Sequence, residues 1–143
     1  MVKQKKLTIF SLKASILFIL TFFLIILYFY FSSSFQINNA SKAYITNQGD
    51  NTVSIIDLET LKTLKTLKVG VAPLGITILQ KKKLVFVGNV GTDDISVIDA
   101  VNDRLIKTIK LGTAPLSLAS NEEETEVYVT DWFQNNVLTI SAD

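Results

Sequence analysis

An ungapped repeat of 42 residues constrains this chain more than any other feature. Ala43-Tyr44-Ile45-Thr46-Asn47 returns as Val85-Phe86-Val87-Gly88-Asn89, and again as Val127-Tyr128-Val129-Thr130-Asp131. Val53-Ser54-Ile55-Ile56-Asp57 returns as Ile95-Ser96-Val97-Ile98-Asp99 and, more weakly, as Val137-Leu138-Thr139-Ile140-Ser141. Lys65-Thr66-Leu67-Lys68 corresponds to Lys107-Thr108-Ile109-Lys110, Gly70 to Gly112, Pro73 to Pro115 and Leu74 to Leu116. Self-similarity at a fixed period means one supersecondary unit stacked on copies of itself, each covering the apolar face of the next.

The repeated runs are five or six residues long and rich in Val, Ile, Tyr, Phe and Thr, which predicts strands. Asn-Gln-Gly-Asp, Gly-Thr-Asp-Asp, Gly-Val-Ala-Pro and Gly-Thr-Ala-Pro separate them and supply turn chemistry. Four strands per unit is the size of one propeller blade, a four-stranded antiparallel sheet packed face to face on its neighbours. Ile55 with Ile56, and Val97 with Ile98, place apolar residues on both strand faces, as a blade covered on both sides requires.

Tyr44-Ile45-Thr46-Asn47 and Tyr128-Val129-Thr130-Asp131, with the Asn-Thr-Val-Ser-Ile-Ile-Asp strand and the Gly-x-x-Pro turn, resemble the YVTN family of β-propeller repeats over residues 43–141. The Ser-Pro-Asp-Gly hairpin usual in that family is replaced by Leu79–Lys83 in one copy and Ser120–Glu124 in the next. The resemblance implies that the Gly-x-x-Pro turn precedes the innermost strand of a blade. Residues 43–69 then supply the last three strands of one blade, 74–111 a complete blade, and 116–141 the first three strands of a third. The expected fold is all-β: a partial β-propeller of about 2.3 blades and ten strands, whereas closed propellers use about 4–8 blades. An open arc of this kind exposes two blade faces, which invites association. Self-association, completion by another propeller chain (three copies would give about seven blades), descent from a longer gene, and a free-standing sheet stack all remain open.

One N-terminal transmembrane α-helix is expected ahead of the repeats. Ala14 to Phe31 is an uncharged, Leu-, Ile- and Phe-rich run of 18 residues, which as a helix reaches roughly 27 Å, close to a bilayer core. Lys3, Lys5, Lys6 and Lys13 all precede it, and Tyr28 and Tyr30 sit near its far end. The positive-inside rule then leaves the N-terminus (1–13) in the cytoplasm and the repeats (43–143) outside, in the periplasm or at the cell surface. A cleaved signal peptide is the rival reading, but its apolar region usually runs about 7–15 residues. Residues 32–42 read as a short polar linker.

The chain has neither cysteine nor histidine, which excludes thiolate nucleophiles, disulfides and imidazole chemistry. From residue 32 onward acids outnumber bases, thirteen to ten, which argues against nucleic acid as a partner. No nucleophile elbow, phosphate-cradling glycine loop or haem attachment motif is present. No catalytic residue, metal site or cofactor is assigned, and the expectation is that the chain is not an enzyme. Asp93, Asp94 and Asp131 offer oxygen ligands of the kind Ca²⁺ takes, but turn chemistry accounts for them better.

In a propeller, the loops between second and third strands and those between blades gather on one face. Those loops are here Asn47–Thr52, Gly70–Pro73, Asn89–Asp94, Gly112–Pro115 and Asp131–Asn136. Asn47, Asn89 and Asp131 are candidate contact residues on that face, with Trp132 and Phe133, two large aromatics in the last loop. Covering the open end of the last blade is the competing role for the two rings. Lys81–Lys83 and Glu122–Glu124 occupy equivalent hairpins, and solvated charge is the plainer reading beside weak attraction across blades. The expected function is a membrane-tethered extracytoplasmic binding module for a protein or surface ligand. The alternative is part of a larger propeller enzyme, lactonase-like or dependent on a quinone or haem cofactor, completed by another chain.

Overall fold

The computed structural model describes residues 19–28 and 41–143. The chain divides into two units, Met1–Asn39 and Ala40–Asp143. In the first, residues 19–28 are helical and their apolar side chains are exposed. Among the described residues no helix is long and apolar enough to cross a membrane. The rest of the apolar run 14–31, its four preceding lysines, Tyr30 and linker residues 32–40 lie outside the described residues.

The second unit holds ten strands: β1 Lys42–Asn47, β2 Thr52–Asp57, β3 Thr63–Lys68, β4 Pro73–Leu79, β5 Leu84–Asn89, β6 Asp94–Asp99, β7 Arg104–Lys110, β8 Pro115–Ser120, β9 Glu126–Asp131 and β10 Val137–Ser141. They form three antiparallel sheets: blade 1 (β1-β2-β3), blade 2 (β4-β5-β6-β7) and blade 3 (β8-β9-β10). The expected three, four and three strands are therefore found, in the expected places. The period governs detail as well. The pairing of third with fourth strand shifts register between Ile55 and Ile56 in blade 1, and between Val97 and Ile98 in blade 2. Such bulges increase local twist.

Turn geometry also repeats. Asn51, Asp93 and Asn135 take left-handed backbone at φ 57°, 54° and 53°, closing the three loops between second and third strands. Asn and Asp tolerate this region better than other residues bearing a Cβ. Asp103 meets the same demand at φ 50°, whereas its counterpart Leu61 sits there at φ 57° without a polar side chain to ease it.

Two apolar clusters join the sheets. Tyr44, Val53, Ile55 and Leu67 of blade 1 pack with Val85, Val87 and Ile98 of blade 2. Phe86, Ile95 and Val97 on the other side of blade 2 pack with Leu118, Val127 and Val129 of blade 3, together with Leu79. Alternation along each strand sends successive side chains to opposite sides, so blade 2 is buried on both. Two glycines permit this closeness. A Cβ at Gly75 would lie 2.6 Å from the Leu116 carbonyl oxygen of blade 3, and one at Gly88 2.8 Å from Leu118 Cδ1.

Candidate binding face

The five loops singled out from the sequence are tied to one another. Beside blade 1, Val69 N donates to Asn51 O at 3.1 Å and Ala72 N to Asn51 Oδ1 at 2.9 Å. Ala72 and Val71 in turn accept from Val90 N and Gly91 N at 3.1 and 2.9 Å. Leu111 N then donates to Asp93 O at 3.0 Å, and Trp132 N to Ala114 O at 3.0 Å. One hydrogen-bonded band thus runs along the loop side of all three blades. The loops are held by backbone amides that would otherwise need solvent.

Asn47 and Asn89 sit beneath this band and brace it. Asn47 Nδ2 donates to Thr52 Oγ1 and Ser54 Oγ at 3.0 and 2.8 Å. Asn89 Nδ2 donates to Asp94 Oδ1 and Ser96 Oγ at 2.7 and 2.9 Å. Asn89 is fully buried, and its Oδ1 has no hydrogen-bond partner among the described residues. Gly70 lies over it: a Cβ there would come within 2.6 Å of Asn89 Cγ and 2.3 Å of Thr92 Oγ1. In the third copy Asp131 takes the same place and its Oδ1 accepts from Phe133 N and Gln134 N, at 2.6 and 2.9 Å. Asn89 and Asp131 are buried under the loops they shape, while Asn47 is half-buried.

Trp132 and Phe133 are exposed to solvent on this side, 53% and 74%, with ring centroids 6.4 Å apart and tilted by 59°. The face of blade 3 beside them stays open, with Val137 65% exposed. Asp94 is not free to bind a cation, since Oδ1 accepts from Asn89 and Oδ2 pairs with Lys110 Nζ at 2.7 Å. Among the described residues no group of three or more acids is placed to hold a metal ion.

On the opposite side the hairpins do turn-building work. Asp57 Oδ1 accepts from Glu59 N and Thr60 N, and Asp99 Oδ1 from Val101 N and Asn102 N. Hydrogen bonding lowers both carboxyls, chiefly from the Thr60 amide for Asp57 and from the Asn102 side chain for Asp99. The two charged hairpins meet, contrary to the expectation of independent solvated runs. Glu124 is buried, and its carboxylate accepts from the backbone amides of Gln80, Lys81 and Lys82 at 2.9, 2.8 and 3.3 Å. Lys81 Nζ donates to Glu122 O at 2.9 Å, and Lys82 reaches the Ala142 carbonyl and Asp143. The 42-residue offset of the two runs raises attraction across blades but not its form, because backbone amides of the neighbouring blade provide most of it. Lys42 similarly bridges blades 1 and 2, 2.8 Å from Asp103 Oδ2. Beside that pair, burial first and the Asp103 charge second push the Tyr44 hydroxyl up to about 12.

Similar solved structures are β-propeller proteins. The Kuenenia stuttgartiensis hydrazine synthase aligns at TM-score 0.68 and 26% identity, over 71% of this chain and 30% of that one. The dihydro-heme d1 dehydrogenase NirN aligns at TM-score 0.65 and 17% identity, over 76% and 23%. A chain of the mitotic checkpoint complex aligns at 0.63 and 19%, over 71% and 33%. This chain therefore spans a third or less of each of these propeller chains. No family model matches it, and no curated protein does.

Proposed function

We propose that this chain is a membrane-tethered, extracytoplasmic segment of YVTN-type propeller that acts as an interaction module for a protein or surface ligand. One observation carries the binding reading: a rigid, hydrogen-bonded band of loops that presents Trp132 and Phe133 to solvent. Exposed aromatics on a fixed scaffold suit recognition, since large rings bury much area at little entropic cost. The tether reading rests on the lysine-preceded apolar run of residues 14–31. Nothing is proposed for the chain alone as a catalyst.

The chain contains no cysteine, so a single Gly49→Cys substitution in the first loop gives one chemical handle at a position with no close neighbours. Labelling of intact cells with a membrane-impermeant maleimide is the expected outcome. Labelling that appears only once the cytoplasmic membrane is broken, and not in cells stripped of any outer membrane, would put the repeats in the cytoplasm and end this reading. The paired substitution Trp132→Ser with Phe133→Ser should abolish capture of envelope components that the native chain retains, without lowering the unfolding midpoint. A lower midpoint with unchanged capture would assign the two rings to stability instead.

A second reading draws on the short coverage of the structural neighbours, two of which are enzymes, a hydrazine synthase and a dihydro-heme d1 dehydrogenase. In it the chain contributes blades to a larger propeller enzyme. Further 42-residue units encoded directly downstream would favour it.

A further inference from the structure

We infer that the two open faces of the arc are the two halves of one interface, and that they join a second copy of this chain head to tail. The inference rests on the reading of the repeats as an incomplete interaction module and names its partner.

Inside the chain, blade 1 seats on blade 2 through Tyr44 and Val53, both buried. Two repeats later blade 3 presents Tyr128 and Val137, the same two residue types at the same two repeat positions, with no described residue covering them. At the other end, blade 1 turns Ile45 and Ile56 outward. These are the counterparts of Val87 and Ile98, the buried residues by which blade 2 receives blade 1. Each open face thus shares two core residues with one side of a junction that the chain already contains, with Thr139 in place of Ile55 and no described counterpart of Leu67, and joining them continues that interface by one more step.

Ser117 distinguishes a second copy from a complete foreign blade. It stands where blade 2 has Gly75, whose added Cβ would lie 2.6 Å from Leu116 O on the innermost strand of the following blade. A complete blade seated on blade 3 would bring such a strand against Ser117. Blade 1 of another copy begins at a second-strand equivalent and carries no innermost strand among the described residues. Thr130 fits the same picture. Its counterpart Thr46 donates to Leu74 O of an innermost strand at 3.2 Å, whereas Thr130 Oγ1 accepts from Ser117 N of its own blade at 3.1 Å.

The three described blades, taken twice, make six, inside the range of about 4–8 blades in closed propellers. A head-to-tail pair closed on itself keeps both junctions of one kind.

The test is the protein mass of the detergent-solubilised full-length chain. The expected result is two chains, falling to one at the same concentration on Val137→Arg and, separately, on Ile45→Arg. Both sites are exposed, so circular dichroism should confirm retained sheet in each variant. A native mass of one chain overturns the inference, as does a two-chain mass that Val137→Arg leaves unchanged. With no natural cysteine, Ile45→Cys with Val137→Cys should form a covalent pair under mild oxidation, while neither single variant does. Cross-linking by a single variant would mean a symmetric contact and would overturn the head-to-tail arrangement. Outward labelling of residue 49 together with a one-chain mass rejects the pairing and spares the tethered module; loss of that labelling rejects the module and leaves the pairing to its own test.

Discussion

Ile98 in blade 2 and Ile56 in blade 1 occupy the same repeat position on the same kind of strand, yet only Ile98 is fully buried. The contrast extends across both sheets. In β5 every residue from Val85 to Asn89 is buried, and in β6 every residue from Asp94 to Ile98. In β1 only Tyr44 is buried, and in β9 burial alternates, with Tyr128 and Thr130 exposed. Near-identical sequence thus has different energetic weight depending on whether a neighbour stands on one side or two. In a stacked repeat, stability is held by interfaces as much as by units.

Paired substitutions probe that contrast. Ile98→Ala should lower the unfolding free energy by about 2–5 kcal/mol, and Ile56→Ala by about 1 kcal/mol or less, in urea titrations at low protein concentration. Equal losses would break the comparison and mean that the outer side of blade 1 is covered. Gly75→Ala forces a methyl group against the Leu116 backbone and should cost about 1–3 kcal/mol, whereas Gly49→Ala, with nothing within 4 Å, should stay within about 0.5 kcal/mol. Glu124→Gln weakens a carboxylate that three amides of blade 2 share, an expected loss of about 1–3 kcal/mol by the same titration; Glu123→Gln at the exposed neighbour should change little.

The smallest effect concerns two tyrosines related by the repeat. Burial and Asp103 raise Tyr44 to about 12, and the Glu126 hydrogen bond raises exposed Tyr128. A raised tyrosine resists ionisation in the folded chain while the unfolded chain ionises near 10, so the stability it lends is complete below that pH. That stability drains as pH climbs from 10 toward 12. Melting temperatures across this window should fall less steeply for Tyr44→Phe than for the native chain, and Tyr128→Phe should follow the native curve closely. Parallel curves for all three would remove buried Tyr44 from the comparison.

Much of the fold was legible because an ungapped period carries register with it. Once Tyr44, Phe86 and Tyr128 were aligned, the strands, their grouping and the loop side followed. The loop residues Asn47, Asn89 and Asp131 were legible as turn chemistry, but the full burial of Asn89 was not. That distinction depends on Gly70 pressing on Asn89, a contact between blades. The Glu124 carboxylate was hidden for a related reason: its partners are main-chain amides, which every residue type supplies. Repetition reports what recurs, and both of these contacts occur once.

The ungapped period and the matched faces also bear on how such a chain grows. A tandem copy of residues 70–111 inserted after Leu111 would present to blade 2 the kind of surface blade 3 now presents, and to blade 3 the kind of surface blade 2 now presents. Duplication of a unit would therefore reuse the apolar junction but bring Lys82 where the Glu124 carboxylate now accepts from blade 2.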